Sequence, residues 1–116
     1  MPFKYLLREI RSEIMYKGQK IEEEIIHKHD ISRNTFTTLY NKFKGRKFSN
    51  EHLPIRYDVI MVQLDNNGNL VENDDLENYC TEVGPAVYQL YIQCRNIKDP
   101  VKRDEFFISS VVKQAG

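Results

Sequence analysis

The chain has few of the residues that would let cross-links replace a hydrophobic core. It contains 116 residues with two cysteines and no tryptophan. Cys80 and Cys94 have no ligand-like neighbours, so the sequence predicts neither a disulfide framework nor a zinc site. A chain of this length can bury a core of ordinary density without such links. Two isolated thiols are typical of a reducing compartment, and we expect the protein in the cytoplasm.

Long apolar runs and catalytic motifs are also missing. No run approaches the roughly 20 apolar residues that cross a bilayer, and the opening Met-Pro-Phe-Lys predicts no signal peptide. The three histidines lack the i, i+4 spacing of helical metal pairs, and Ser109-Ser110 lies in no nucleophile elbow. There is no glycine-rich phosphate loop. We therefore predict no enzymatic activity, no metal, no cofactor and no membrane association.

The net charge is zero, but the charges are divided unequally along the chain. Residues 1–56 carry twelve lysines and arginines against seven acids, and residues 57–116 carry five against ten. The first part is therefore +5 (12 − 7) and the second −5 (5 − 10). A basic half indicates a polyanionic partner, and the acidic half indicates a second task.

Hydrophobic periodicity predicts three helices in the first fifty residues. The first covers residues 3–16, where apolar residues recur at three- and four-residue steps and Gly18 follows. The second starts at Lys20, has isoleucines on one face and glutamates on the other, and ends at His29. The third follows Ser32, a good N-cap. Its inner face is formed by Phe36, Leu39, Tyr40 and Phe43.

The segment 20–47 resembles the helix-turn-helix DNA-binding proteins of the small bacterial, phage and plasmid regulator type. The resemblance is carried by apolar Ile31 after the turn, by the small N-cap Ser32, and by the apolar anchors Phe36 and Leu39 on the second helix. It implies an α+β fold in which an N-terminal three-helix unit precedes a β-hairpin, which could form a wing, and C-terminal helices. It also implies sequence-specific binding of double-stranded DNA by a homodimer, as in transcriptional or plasmid and phage DNA-transaction regulators.

The resemblance assigns roles on the second helix and around it. The residues expected to meet base edges are Ser32, Arg33, Asn34, Thr37, Thr38 and Asn41. Bidentate geometry suits Arg33 to guanine and Asn34 to adenine. The residues expected on phosphates are Lys17, Lys20, Lys28, Lys42, Lys44, Arg46 and Lys47. Arg33 to Asn50 contains no acid, so these positive charges would supply the salt-sensitive part of the affinity.

The remaining chain is expected to complete a single domain, 1–116, with a basic part at 1–50 and an acidic part at 57–116. Residues 57–72 predict a β-hairpin around the turn Asp65-Asn66-Asn67-Gly68-Asn69. The acidic run 72–82 predicts a short helix. After Gly84-Pro85, the apolar spacing favours a helix over 85–97, while the alternation Tyr88-Leu90-Ile92 fits a strand over the same residues. Residues 106–112 fit either a terminal strand or the end of a helix that begins at Pro100.

Two other functions fit the same sequence. The acidic part could engage another protein, as in a phage- or plasmid-type adaptor or inhibitor, through Glu77, Glu82 or Tyr88. The same part carries Val87, Leu90 and Tyr91, which are candidates for the dimer surface. Alternatively, Tyr40, Phe43 and Phe48 alternate with basic residues and could stack on the bases of single-stranded nucleic acid or RNA.

Overall fold

A computed structural model of the chain describes residues 2–14, 20–48, 54–71 and 79–114. This part of the chain forms five strands and three α-helices, and a 3-10 turn, Cys94–Asn96, follows the second helix. In chain order the elements are β1 (Phe3–Ile14), β2 (Lys20–Ile31), α1 (Arg33–Phe43), β3 (Ile55–Leu64), β4 (Leu70–Val71), β5 (Cys80–Val83), α2 (Pro85–Gln93) and α3 (Pro100–Gln114).

The predicted N-terminal three-helix unit is wrong. Its first two helices are the long strands β1 and β2, which pair antiparallel with Tyr5 opposite Ile31 and Leu7 opposite His29. The sheet therefore leads the fold, and the first helix and turn of a helix-turn-helix are absent from residues 20–31. The end of the predicted first helix, residues 15 and 16, lies outside the described residues.

The error has a physical cause in the adjacent pair Leu6-Leu7. Both side chains are buried, and in a strand two neighbours point to opposite faces, so each face of β1 receives one leucine. A segment with apolar residues on both faces fits the spacing of a helix as well as that of a strand buried on both faces. Among the described strands, β2 pairs with β1 alone and so lies at an edge of the sheet. Charged residues such as the exposed Glu23 and Glu24 are tolerated on an edge strand.

The sheet is antiparallel and curls into a half-barrel with the order β2-β1-β3-β4, and β5 also pairs with β3. Both β4 and β5 run antiparallel to β3: Gln63 faces Val71, and Tyr57 faces Val83. The β1–β2 register shifts between Glu9 and Ile10, which leaves Ile26 as the extra residue of a bulge.

All three helices cover one face of the sheet, and the main core lies between them. Sheet residues Leu7, Val59 and Val83 belong to one buried cluster with side chains from all three helices, and all three are inaccessible to solvent. The helical members of this core are Phe36, Leu39, Phe43, Val87, Tyr88, Tyr91, Phe107 and Val111. The side chains of α1 therefore have fixed directions relative to the sheet.

The opposite face of the sheet holds a buried carboxylate, Asp58, with no accessible surface. Arg8 donates to both of its oxygens, at 2.8 and 2.7 Å, and Arg56 donates at 3.3 Å. The thiol of Cys80 donates to it at 3.3 Å, and burial together with this carboxylate raises the pKa of Cys80 to about 12. We call these four residues the Asp58 cluster. It ties β1, β3 and β5 together.

Several local predictions are confirmed. Ser32 caps α1, accepting from the Thr35 amide at 3.1 Å. Helix α2 lies within the predicted 85–97, and the predicted turn closes with the Asp65 amide donating to the Asn69 carbonyl at 2.8 Å. The open choice at 106–112 is settled as helix. Of the helix predicted at 72–82, residues 80–82 belong instead to β5, and residues 72–78 lie outside the described residues.

We expect Asp58→Asn to lower the free energy of unfolding by about 3 kcal/mol, because it leaves Arg8 without its anionic partner and leaves Arg56 with Glu23 alone. Urea denaturation followed by circular dichroism would measure the loss. Lys4→Gln is the matched control: it breaks the 3.1 Å pair with Asp30, which is exposed on both sides and should contribute about 0–1 kcal/mol. Equal losses in the two variants would contradict the structural role of the Asp58 cluster.

Candidate nucleic-acid interface

Helix α1 has one face in the core and one in solvent. Its buried residues are Thr35, Phe36, Leu39 and Phe43. At about 3.6 residues per turn, the exposed side chains fall within an arc of roughly 100°. These exposed residues are Arg33, Asn34, Thr37 and Asn41, continued by Lys44 at the C-cap. The helix thus presents one continuous polar stripe away from the sheet.

The chain after α1, residues 44–48, is exposed but held at both ends. We call it the basic segment. Phe43 at one end is in the core, and its ring meets that of Phe48 edge-on at a centroid distance of 5.6 Å. Phe48 in turn lies against Gly84, where a Cβ would come within 3.1 Å of the ring. Between the two anchors, Gly45 has a φ of 82°, which lets the chain turn sharply.

The positive charges of this region have no carboxylate partner among the described residues, and Arg46 lies over the Phe43 ring, 5.8 Å from its centroid. Residues 33–48 contain five lysines and arginines and no acid. Among the ion pairs of the described residues, none involves any of the five: Arg33, Lys42, Lys44, Arg46 and Lys47. Arg8 and Arg56, by contrast, are both engaged with carboxylates. Within the described residues, the positive charge of this region is therefore not neutralised by an ion pair.

The predicted base-contact residues separate into two groups. Arg33, Asn34, Thr37 and Asn41 are exposed on the stripe. The hydroxyl of Ser32 accepts the capping bond and donates to the Thr35 hydroxyl, and that of Thr38 donates to the Asn34 carbonyl at 2.9 Å. Ser32 and Thr38 thus have structural roles in the helix.

Only some of the residues predicted to contact phosphates lie in the same region of the structure. Lys42, Lys44, Arg46 and Lys47 lie at the C-terminal end of α1. Lys28 is opposite Arg8 in the sheet, so its side chain projects on the face turned away from the helices. Lys17 lies outside the described residues, as does the side chain of Lys20.

An aromatic groove of about 380 Å³ runs beside α1. Its lining consists of Phe3, Tyr5, Arg33, Phe36, Thr37, Met61 and Tyr79. Phe3 is 47% exposed and Tyr79 is 45% exposed, so both rings offer surface to solvent. Sequence reasoning missed this groove because it placed Phe3 and Tyr5 in a helix and Tyr79 in another. The alternation of Phe3, Tyr5 and Leu7 was the one available signal for a strand.

The two ends of α1 differ in charge. A second groove of about 610 Å³ separates the start of α1 from α3, and its lining includes Asp30, Asp104 and Glu105. The Asp104 carboxylate accepts from the Ser32 amide at 3.0 Å, so a negative charge already occupies the helix N-terminus. Most of the lysines and arginines of residues 33–48, which form no ion pair with the described residues, lie at the opposite, C-terminal end of α1.

The acidic part offers less surface than the sequence suggested. Val87, Tyr88 and Tyr91 are buried in the chain's own core, so they are unavailable for a dimer or a partner. Glu77 lies outside the described residues. The Tyr88 hydroxyl meets His29 Nε2 at 2.9 Å, and its ring stacks on Tyr57 with centroids 4.4 Å apart.

Comparison with known proteins gives no template for the site. No protein-family model matches the chain, and neither does any curated protein or solved structure. Within the described ranges, no histidines, cysteines or acids are grouped as metal ligands would be. The same ranges hold no helix with both the length and the apolar character needed to cross a membrane.

We expect His29 to make the stability of the protein depend on pH. Burial, with Arg95 and His27 nearby, lowers the pKa of His29 below its ordinary value of 6.5. The unfolded chain therefore binds more protons near that pH, and stability falls as pH falls through it. His29→Gln keeps a polar group facing Tyr88 and should show a smaller loss of unfolding free energy between about pH 7.5 and about pH 5.5. Identical losses in variant and wild type would contradict this.

Proposed function

We propose that this protein binds nucleic acid, with the C-terminal half of α1 and the basic segment on the phosphate backbone. The observation that carries the proposal is a set of five basic side chains, in a stretch without acids, that form no ion pair with the described residues. Lysines and arginines that neutralise phosphates release condensed counterions, which provides affinity without any sequence preference.

The placement of these charges supports the proposal. Phe43 and Phe48 anchor the two ends of the basic segment, so Lys44, Arg46 and Lys47 project from a loop whose ends are fixed. Less conformational freedom is then lost when they engage phosphates. We place this activity in the cytoplasm, in keeping with two free cysteines, one of them buried.

Base reading by the stripe on α1 is part of the proposal, with Thr37 and Asn41 at its centre and Arg33 reaching toward the bases from the first turn. Docking of the first helical turn deep in a major groove is disfavoured, because it would bring Asp104 and Glu105 toward phosphates. We therefore propose an approach through the C-terminal half of the helix, in which Asn41 and Thr37 come nearest to the bases.

The quadruple variant K42Q/K44Q/R46Q/K47Q tests the phosphate contacts. We expect its affinity for labelled nucleic acid, measured by fluorescence anisotropy, to fall at least tenfold at low salt. The slope of log affinity against log salt should flatten by about 3–3.5, because each of the four lost phosphate contacts removes roughly 0.7–0.9.

The matched control is R95Q/K98Q/K102Q/K113Q, which makes the same change in net charge at exposed positions outside α1 and the basic segment. It should keep most of the affinity. If both variants weaken binding equally, net charge is responsible and the proposed surface is wrong. If the wild type binds neither duplex nor single strand at low salt, the proposed function is wrong.

Arg33→Ala and Lys44→Ala distinguish base reading from phosphate contact. We expect Arg33→Ala to reduce the difference in affinity between preferred and unrelated sequences by about 1–3 kcal/mol. Lys44→Ala should weaken binding to all sequences alike and flatten the salt dependence. Competition titrations with a panel of sequences would measure both effects. Equal effects on every sequence from both variants would contradict direct reading by Arg33.

A further inference from the structure

We infer that the aromatic groove beside α1 is a stacking site for the bases of a single-stranded nucleic acid. The inference rests on the proposed function and names its substrate class. It adds a binding element, Phe3 and Tyr79, that lies outside the basic surface of α1 and the basic segment.

The exposure of the two rings separates them from ordinary core aromatics. Phe36, deeper in the same groove, is buried, whereas Phe3 and Tyr79 each leave nearly half of their surface in solvent. Exposed aromatic surface is unfavourable in water, and an aromatic ring stacks on any base because every base has a π face. The groove wall carries no acid, and Arg33 and Thr37 form its polar rim.

The groove is built on rigid elements. Phe3 starts β1 and faces Gln63 of β3, and the Leu64 amide donates to the Pro2 carbonyl at 2.9 Å just before it. Tyr79 is fixed through its own carbonyl, which accepts from the Met61 amide at 3.1 Å. The backbone that carries both rings is therefore fixed before a ligand arrives, which lowers the entropy lost on binding.

The groove also connects with the positive charge. Ring contacts continue from Tyr5 to Phe36 at 5.2 Å, to Tyr40 at 5.7 Å and back to Tyr79 at 6.2 Å. Tyr40 lies one turn before the basic end of α1. Eleven helical residues span about 16 Å, the length of four to five stacked nucleotides at about 3.4 Å each. A strand with its bases in the groove can thus lay its phosphates along α1 to Lys44.

A single strand fits this arrangement better than a duplex. The base faces of a duplex are stacked on each other and cannot reach Phe3 or Tyr79, whereas unpaired bases present their faces freely. The carboxylates of Asp104 and Glu105 at the start of α1 would also repel the second strand of a duplex that lay across the helix.

The test uses the full chain with labelled oligo(dT), oligo(U) and a duplex of equal length. We expect Phe3→Leu and Tyr79→Leu each to weaken binding to the single strands by about tenfold, since base–aromatic stacking contributes on that order. Their salt slopes should stay as in the wild type, and binding to the duplex should not change. Tyr79→Phe keeps the ring and should retain the wild-type affinity.

Phe106→Leu is the matched control, because Phe106 is 58% exposed on α3 and lies outside the groove. It should leave all three affinities unchanged. Urea denaturation of each variant separates a loss of binding from a loss of folding, and the comparison of Tyr79→Phe with Tyr79→Leu does so independently.

The outcomes distinguish the inference from the proposed function. If K42Q/K44Q/R46Q/K47Q loses binding while both leucine variants bind single strands normally, the stacking site is wrong and the basic surface stands. If the leucine variants weaken duplex and single strands equally, the groove does not select single strands and the inference is overturned. Loss with oligo(dT) alone assigns the site to DNA, and loss with oligo(U) alone to RNA; either result supports it.

Discussion

The sheet depends on the burial of one carboxylate, Asp58. A buried charge is very costly unless it is paired and hydrogen-bonded, and Asp58 obtains its partners from β1, β3 and β5. Arg56 extends the network to Glu23 of β2 at 2.8 Å. The cluster is therefore satisfied only when four strands have come together. Two arginines of the basic half meet the acidic half here, so part of the charge division of the sequence is neutralised inside the fold.

The rest of that positive charge stays available because of where α1 lies. The sheet fixes the helix by burying Phe36 and Leu39, and this leaves Arg33, Asn41 and Lys44 outward. No carboxylate of the described residues forms an ion pair with Arg33 or Lys44. The same packing places Phe36 beside Tyr5, so one helix forms both the polar stripe and a wall of the aromatic groove. Charge and stacking surface are thus coupled by a single packing contact.

The parts of the fold that could be predicted have local causes. Ser32 caps α1, proline starts α2, and Asp65 closes its turn through residues four positions away or fewer. The strands could not be predicted in this way, because the pairing partners of β1 in β3 lie some fifty residues distant and the pair Leu6-Leu7 fits both periods. The outer face of α1, which is one part of the candidate site, could therefore be predicted from the sequence, because it follows from helical spacing. The groove is lined by residues from four separate segments of the chain, and hydrophobic periodicity carries no signal for such a contact.

The polarity of α1 determines how an anion can approach. A helix N-terminus attracts anions through its free amides, but here the Asp104 carboxylate already accepts from the Ser32 amide. A phosphate is therefore excluded from the end of the helix that usually binds one. At the other end the helix dipole opposes anions, with an effect of about 0.3–1 kcal/mol that falls off within one turn. Several lysines and arginines from Lys42 onward outweigh it, because each attracts phosphate with a full charge. The proposed nucleic-acid ligand would then follow the side chains of α1 rather than its backbone, and a flexible single strand can do so by bending from the basic segment into the groove.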